Sequence, residues 1–277
     1  MMNEDTKAIL YNVLGGIIVS ALTAIYVYLR RNVNRYHLQR LLGYRLRPDT
    51  EVRIVYGQLT LPPLQHSSGQ VITHPYVKAP RRGGALPLQG TYSITYPVSE
   101  CEIRASTYLT SMLSCPGTLR PLVVSDVEVD ALLDNNLITL GGPGSNYKTA
   151  DILASPANLF IKMAHTGLSL VSGESLPFGC NQTNDHGFIL RITPPQFPQR
   201  SWIACAGLGE WGTSGSAWFL ANKWRQLLKA IHPLAYLSGI ASIPDFVAII
   251  RVIPGQDQSA EIVALYRSSG KVIKKVK

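Results

Sequence analysis

Charge is scarce in this chain: 16% of its 277 residues are Asp, Glu, Lys or Arg, against 46% apolar residues, a balance that excludes general disorder. Cysteine is scarce too, and none of Cys101, Cys115, Cys180 and Cys205 stands at the CxxC spacing of a zinc ribbon or redox pair. They read as free, mostly buried thiols. The six histidines form no HxH or HExxH pair, so metal dependence has no support. No glycine turn ends in the Gly-Lys-Ser/Thr of a P-loop, which leaves ATP hydrolysis without its lysine. A G-x-S-x-G nucleophile elbow is missing as well, and Gly212-Thr213-Ser214-Gly215 lacks its spacing. There is no internal repeat and no low-complexity tract.

One stretch lacks charge altogether. Residues 8–29 (AILYNVLGGIIVSALTAIYVYL) would span about 33 Å as a helix, enough to cross the hydrocarbon core of a bilayer. A cleaved signal peptide fits poorly, because Glu4 and Asp5 precede the run and it is long for an h-region. A buried core helix would not explain the arginines that follow. Residues 30–47 hold Arg30, Arg31, Arg35, Arg40, Arg45 and Arg47 with no acid, and carry much of the net charge of +9. Beside a membrane such a run sets topology and meets anionic lipid, and it does not point to nucleic acid.

The expected organisation is a tail and single transmembrane helix (1–29), a basic juxtamembrane helix (30–47) and a cytosolic α/β domain (48–277). Only Lys7 precedes the span, so the positive-inside rule puts the N-terminus outside the inner (cytoplasmic) membrane and the domain inside. Unpaired cysteines agree with a cytoplasmic domain. Asn12, Gly16, Ser20 and Ala24 recur every four residues and form a small, polar stripe on the span. Such stripes allow close helix approach, and a homo-oligomer is the expected consequence.

Beyond the arginines, alternation of strand-like and helix-like segments predicts a Rossmann-like open, mostly parallel sheet with helices on both faces. Strands are expected at 51–61, 119–124, 137–140, 188–192, 201–206, 246–253 and 262–266. The last two are placed to pair as a hairpin through Pro254-Gly255-Gln256-Asp257 and give a mixed edge. Helical patterns cover 100–113, the acidic piece 127–133, 148–153 and 214–231. Residues 62–90 read as a long loop, either a lid or a floppy connection, and 271–277 as a solvated basic tail.

Two glycine turns carry the functional signal. The first, within LITLGGPGSNYKT (137–149), offers Gly141 and Gly142 for close backbone approach, Ser145, Asn146 and Thr149 as donors, and Lys148 to neutralise phosphate. Its bland reading is a turn with an asparagine cap. The second matches G-x-G-x-x-G at Gly207, Gly209 and Gly212, with Thr213 and Ser214 as further phosphate donors. It comes late in the chain and lacks the acidic partner of a full dinucleotide fingerprint. Both turns follow strands and precede helices, the setting in which α/β sheets bind nucleotides. A nucleotide-like, phosphorylated ligand is expected, with no established cofactor.

On the GGPGSN and AGLGEWGTSGS turns the chain resembles the SLOG superfamily of Rossmann-like nucleotide-sensing domains found in bacterial conflict systems. The resemblance covers about residues 120–230, and only Gly212-Thr213 echoes the family's glycine-rich run. It implies a cytosolic domain that senses a nucleotide messenger in antiviral defence, fused to a membrane anchor as effector.

For catalysis, Glu210 inside the second turn is a candidate for glycosidic cleavage of an NAD-like molecule, and Asp185 and His186 are candidates as acid or base. Each has a plain alternative as a turn or loop residue. The sequence leans toward a sensor and effector over a membrane-tethered hydrolase or glycosidase; a ligand-free scaffold is the third reading.

Overall fold

Helix α1 (Glu4–Leu42) runs unbroken through the apolar span and into the arginine-rich segment. The computed structural model describes residues 4–47, 49–59, 73–77, 89–93, 98–114, 121–129, 134–164, 167–233, 243–269 and 272–276. Along the described span the apolar side chains of α1, such as Ile17, Leu22 and Tyr26, stand exposed. The helix is long and apolar enough to cross a membrane. Its far end differs. Leu38, Leu41 and Leu42 are buried with Tyr44 and Leu46, so the last turns of α1 pack with the α/β domain. Gly43 stops the helix at φ +84°, and its amide donates to the Gln39 carbonyl at 2.9 Å.

An eight-stranded sheet forms the centre of that domain, in the order β12-β11-β10-β8-β9-β5-β1-β4. Its strands are β1 (Val52–Tyr56), β4 (Leu122–Ser125), β5 (Asn136–Leu140), β8 (Asp185–Ile192), β9 (Trp202–Gly207), β10 (Phe246–Ile253), β11 (Gln256–Ser269) and β12 (Val272–Lys275). β4, β1, β5 and β9 pair in parallel, and β8, β10, β11 and β12 extend the sheet through antiparallel pairs. All strands but β8 and β11 therefore point the same way. The expected Rossmann-like α/β sheet is present, mostly parallel in direction, and the β10–β11 hairpin supplies the mixed half. β5 and β9 are buried at every position, which is why they read as continuous apolar runs.

Helices cover both faces. α2 (Glu100–Ser114), α4 (Glu210–Ile231) and the end of α1 lie on one side. α3 (Tyr147–Ala154) lies on the other, with the hairpin of β6 (Ile161–Ala164) and β7 (Gly167–Leu170). α4 buries Leu220, Trp224, Leu227, Leu228 and Ile231 at helical spacing. Each such side chain contributes about 1.5–3 kcal/mol on burial. Phe219 is wholly buried in the same cluster.

Several sequence expectations shift. α4 begins at Glu210, four residues before the helix read from the pattern, so Gly212, Thr213 and Ser214 are helical and do not extend the turn. Within 62–90 lie β2 (Thr73–Val77) and the start of β3 (Gln89–Ser93), which pair as a hairpin; the rest of that loop is outside the described residues. Of the acidic piece 127–133, residues 130–133 are outside them too, and Asp126–Glu128 forms a 3-10 turn. The basic tail contributes β12, which pairs with β11 at the sheet edge. The β6–β7 hairpin had no expectation, because four-residue strands leave too short a pattern to read.

Candidate functional site

The chain leaves β1 toward β4 on one side of it and leaves β5 toward β9 on the other, so the order reverses between β1 and β5. Such a switch point opens a crevice at the carboxyl ends of the strands. Three glycines stand there, Gly57 after β1, Gly141 after β5 and Gly207 at the end of β9. Both glycine turns meet at this end and line one cleft of about 560 Å³. Gly141 sits at φ +89°, and a Cβ there would run into the carboxyl of Glu102. A Cβ on Gly57 would strike the Ser145 carbonyl, so these segments touch as bare backbone.

The predicted residues divide. Gly141, Gly142, Ser145, Gly207, Gly209, Glu210 and Thr213 line the cleft. Asn146, Lys148, Thr149, Gly212, Ser214, Asp185 and His186 do not. Asn146 is a buried cap: its Oδ1 accepts from the amides of Lys148 and Thr149 at 2.9 and 3.1 Å. Its Nδ2 donates to the carbonyls of Val55 and Leu140. Asp126 accepts the Tyr147 amide at 2.8 Å, so every free amide of the first turn of α3 is taken. Lys148 turns to Asp151, 2.8 Å away, and Thr149 donates to the Thr139 hydroxyl. Phosphate neutralisation by Lys148 is thus lost, because the side chain lies on the helix flank.

At the second turn Asp185 takes the capping role. Its carboxylate accepts from the amides of Gly209 (3.0 Å) and Gly212 (2.7 Å), the N-cap and third residues of α4, and it is buried. A capping box joins those same two positions within one helix, and here β8 supplies it from outside. Gly209 leaves room for this carboxylate, since a Cβ there would stand 2.6 Å from it. Ser214 donates to Asp257 at 2.6 Å, on the far side of α4. His186 holds the Gly179 carbonyl through Nδ1 at 2.6 Å, and its ring lies 5.2 Å from Phe178.

Glu102 was not anticipated. From the first turn of α2 its Oε2 accepts the Gly57 amide at 3.0 Å, and the side chain is buried at the cleft wall. Burial raises its pKa to about 7; the Gly57 amide opposes that, and the charges of Asp126 and Glu210 add to it. In sequence Glu102 looks like an ordinary acid at a helix start, three residues after Ser99. Glu210 is exposed on the opposite side of the cleft, and the Cys101 thiol donates to it at 3.6 Å. Burial pushes that thiol up to about 11, so it holds almost no thiolate at neutral pH.

Charge in the cleft is therefore acidic. Glu102 and Glu210 are its charged lining residues, with no Lys or Arg among the described ones. An anion in the cleft would meet backbone at Glu210, the first helical residue of α4, whose amide no intrahelical carbonyl can take; Trp211, the next residue, does not line the cleft. The carboxylates suit hydroxyl donors such as those of a sugar, and Glu102 near 7 suits proton transfer. No protein-family model and no curated protein matches this chain.

Proposed function

We propose that the chain is a membrane-anchored sensor and effector whose α/β domain binds a nucleotide-like ligand in the two-turn cleft. The observation that carries this reading is the meeting of both glycine turns at the switch point of the sheet. The Glu210 amide at the start of α4 suits a phosphate, and the Glu102 and Glu210 carboxylates suit the hydroxyls of a ribose. The SLOG-like resemblance rests on the same two turns and adds nucleotide sensing in antiviral defence. The arginines after the span support an inner-membrane protein with its N-terminus outside and its domain in the cytoplasm. The Asn12, Gly16, Ser20 and Ala24 stripe lies on an otherwise uncovered helix, which supports coupling of ligand to packing of spans in a homo-oligomer. Coupling requires that the ligand favour one arrangement over the other.

A second reading is favoured by one group. Glu102, near-neutral and facing the cleft with Glu210, is a better acid or base than Asp185, whose carboxylate is committed to α4. Cleavage of a glycosidic bond in an NAD-like molecule would use that pair. Incubating the full chain with a nucleotide panel separates these readings when thermal stability and products are followed together. A stability shift without turnover supports sensing. Turnover abolished by Glu102→Gln or Glu210→Gln supports the enzyme, and silence to every nucleotide removes both.

A further inference from the structure

A second cleft, of about 740 Å³, opens at the amino ends of β9 and β10, across the sheet from the two-turn cleft. The end of α1 forms one wall, and β8 with the segment before β10 forms the other. Its charge is opposite in sign. Arg40, Arg45, Arg191 and Arg200 line it with Asp245 as the one acid among them, and Asp134 pairs with Arg200 at 2.7 Å from outside. Four guanidiniums against two carboxylates leave the place net positive.

Its floor is built. Arg191 is 4% exposed, donates to the Ile243 carbonyl at 2.8 Å and lies 3.6 Å from Asp245. A Cβ on Gly43 would overlap its guanidinium, so the glycine that ends α1 also makes room for Arg191. Beside it Tyr44 is 7% exposed, and its hydroxyl has no hydrogen-bond partner among the described residues. A buried hydroxyl without a partner costs about 1–3 kcal/mol, so it is kept where something else pairs with it. A tyrosine hydroxyl is protonated at neutral pH, and burial raises this phenol further, so it stays a donor.

We propose that this cleft is a separate site for a phosphate-bearing ligand, gripped by Arg45 and Arg200 and by the Tyr44 hydroxyl. Guanidiniums pair with phosphate oxygens in bidentate fashion, and a net positive cleft concentrates such anions. The ligand is soluble rather than a lipid headgroup. Arg40 lies eleven residues past Leu29, about 16 Å further along the helix axis. The headgroup layer is only about 5–8 Å thick, and a 40° tilt still leaves Arg40 about 12 Å out. The site joins anchor and sheet, so an occupant would bear on how α1 leaves the domain.

The test titrates inorganic pyrophosphate by calorimetry into the full-length protein in nanodiscs of phosphatidylcholine. Saturable binding is expected, weakened at least about tenfold by Arg45→Glu and severalfold by Tyr44→Phe. Tyr44→Phe should also leave the unliganded protein as stable as wild type or more so, which a purely structural hydroxyl would not do. Discs containing phosphatidylinositol phosphate should leave the affinity unchanged; loss of binding there would overturn the soluble source. Gly142→Val, in the other cleft, should bind pyrophosphate normally. Absence of binding, or binding lost in Gly142→Val and kept in Arg45→Glu, overturns the proposal.

Discussion

Asp185→Ala is the sharpest probe of how the second glycine turn is built. The substitution removes both acceptors of the Gly209 and Gly212 amides and leaves Gly212 buried without a partner. Loss of a helix cap costs about 1 kcal/mol, and a buried unsatisfied amide about 1–3 kcal/mol. Removing the negative charge from the positive end of α4 adds about 0.3–1 kcal/mol. The expected total is about 3–4 kcal/mol. For a domain of this size each kcal/mol lowers Tm by about 2–4 °C, so the full chain in detergent should melt roughly 6–16 °C earlier. Asp185→Asn keeps one acceptor but turns an NH2 donor toward the other amide, so its loss should fall between those of wild type and Asp185→Ala. If Asp185→Ala melts with wild type while abolishing a chemical activity, Asp185 does not cap α4 and is a reacting group.

The remaining predictions concern the same end of the sheet. Glu102 has its pKa raised from 4.5 to about 7, so the folded state holds a proton that the unfolded state has released between those values. Stability should therefore fall as pH rises from about 4.5 to 7, by up to about 3 kcal/mol, and level off above that. Glu102→Gln, whose carbonyl can still accept the Gly57 amide, should flatten this slope in denaturant titrations. Asn146→Ala removes two acceptor and two donor bonds in the first turn and should cost about 3–4 kcal/mol, measured by the shift in denaturant midpoint. Gly141→Ala forces a side chain at φ +89° against Glu102 and should lower Tm more than Gly142→Ala, where the flexible end of Met163 can give way.

The strands at the centre of the sheet were legible, because a strand buried on both faces must be apolar throughout. The apolar span and the arginines behind it were equally plain. What failed to show were interactions between distant positions. Asp185 caps a helix whose N-cap lies 24 residues later, from a neighbouring strand, so Gly209 and Gly212 read as an empty phosphate cradle. Glu102 meets the Gly57 amide 45 residues before it, across a segment that hides the first βα connection. The start of α4 is hidden because glycines at its first turn look like loop; packing against β8 and the Asp185 cap hold them helical. Lys148 looks like a cleft cation from its nearness in sequence, yet one step along a helix turns a side chain by 100°.

The proposed occupant of the two-turn cleft is a nucleotide-like ligand. The most direct measurement is equilibrium binding of a nucleotide panel to the full chain, wild type against Gly142→Val. At least one saturable ligand is expected for the wild type and none for the variant, with the unliganded variant melting within about 10 °C of wild type. A panel that never binds, or a ligand that binds both proteins alike, would contradict it.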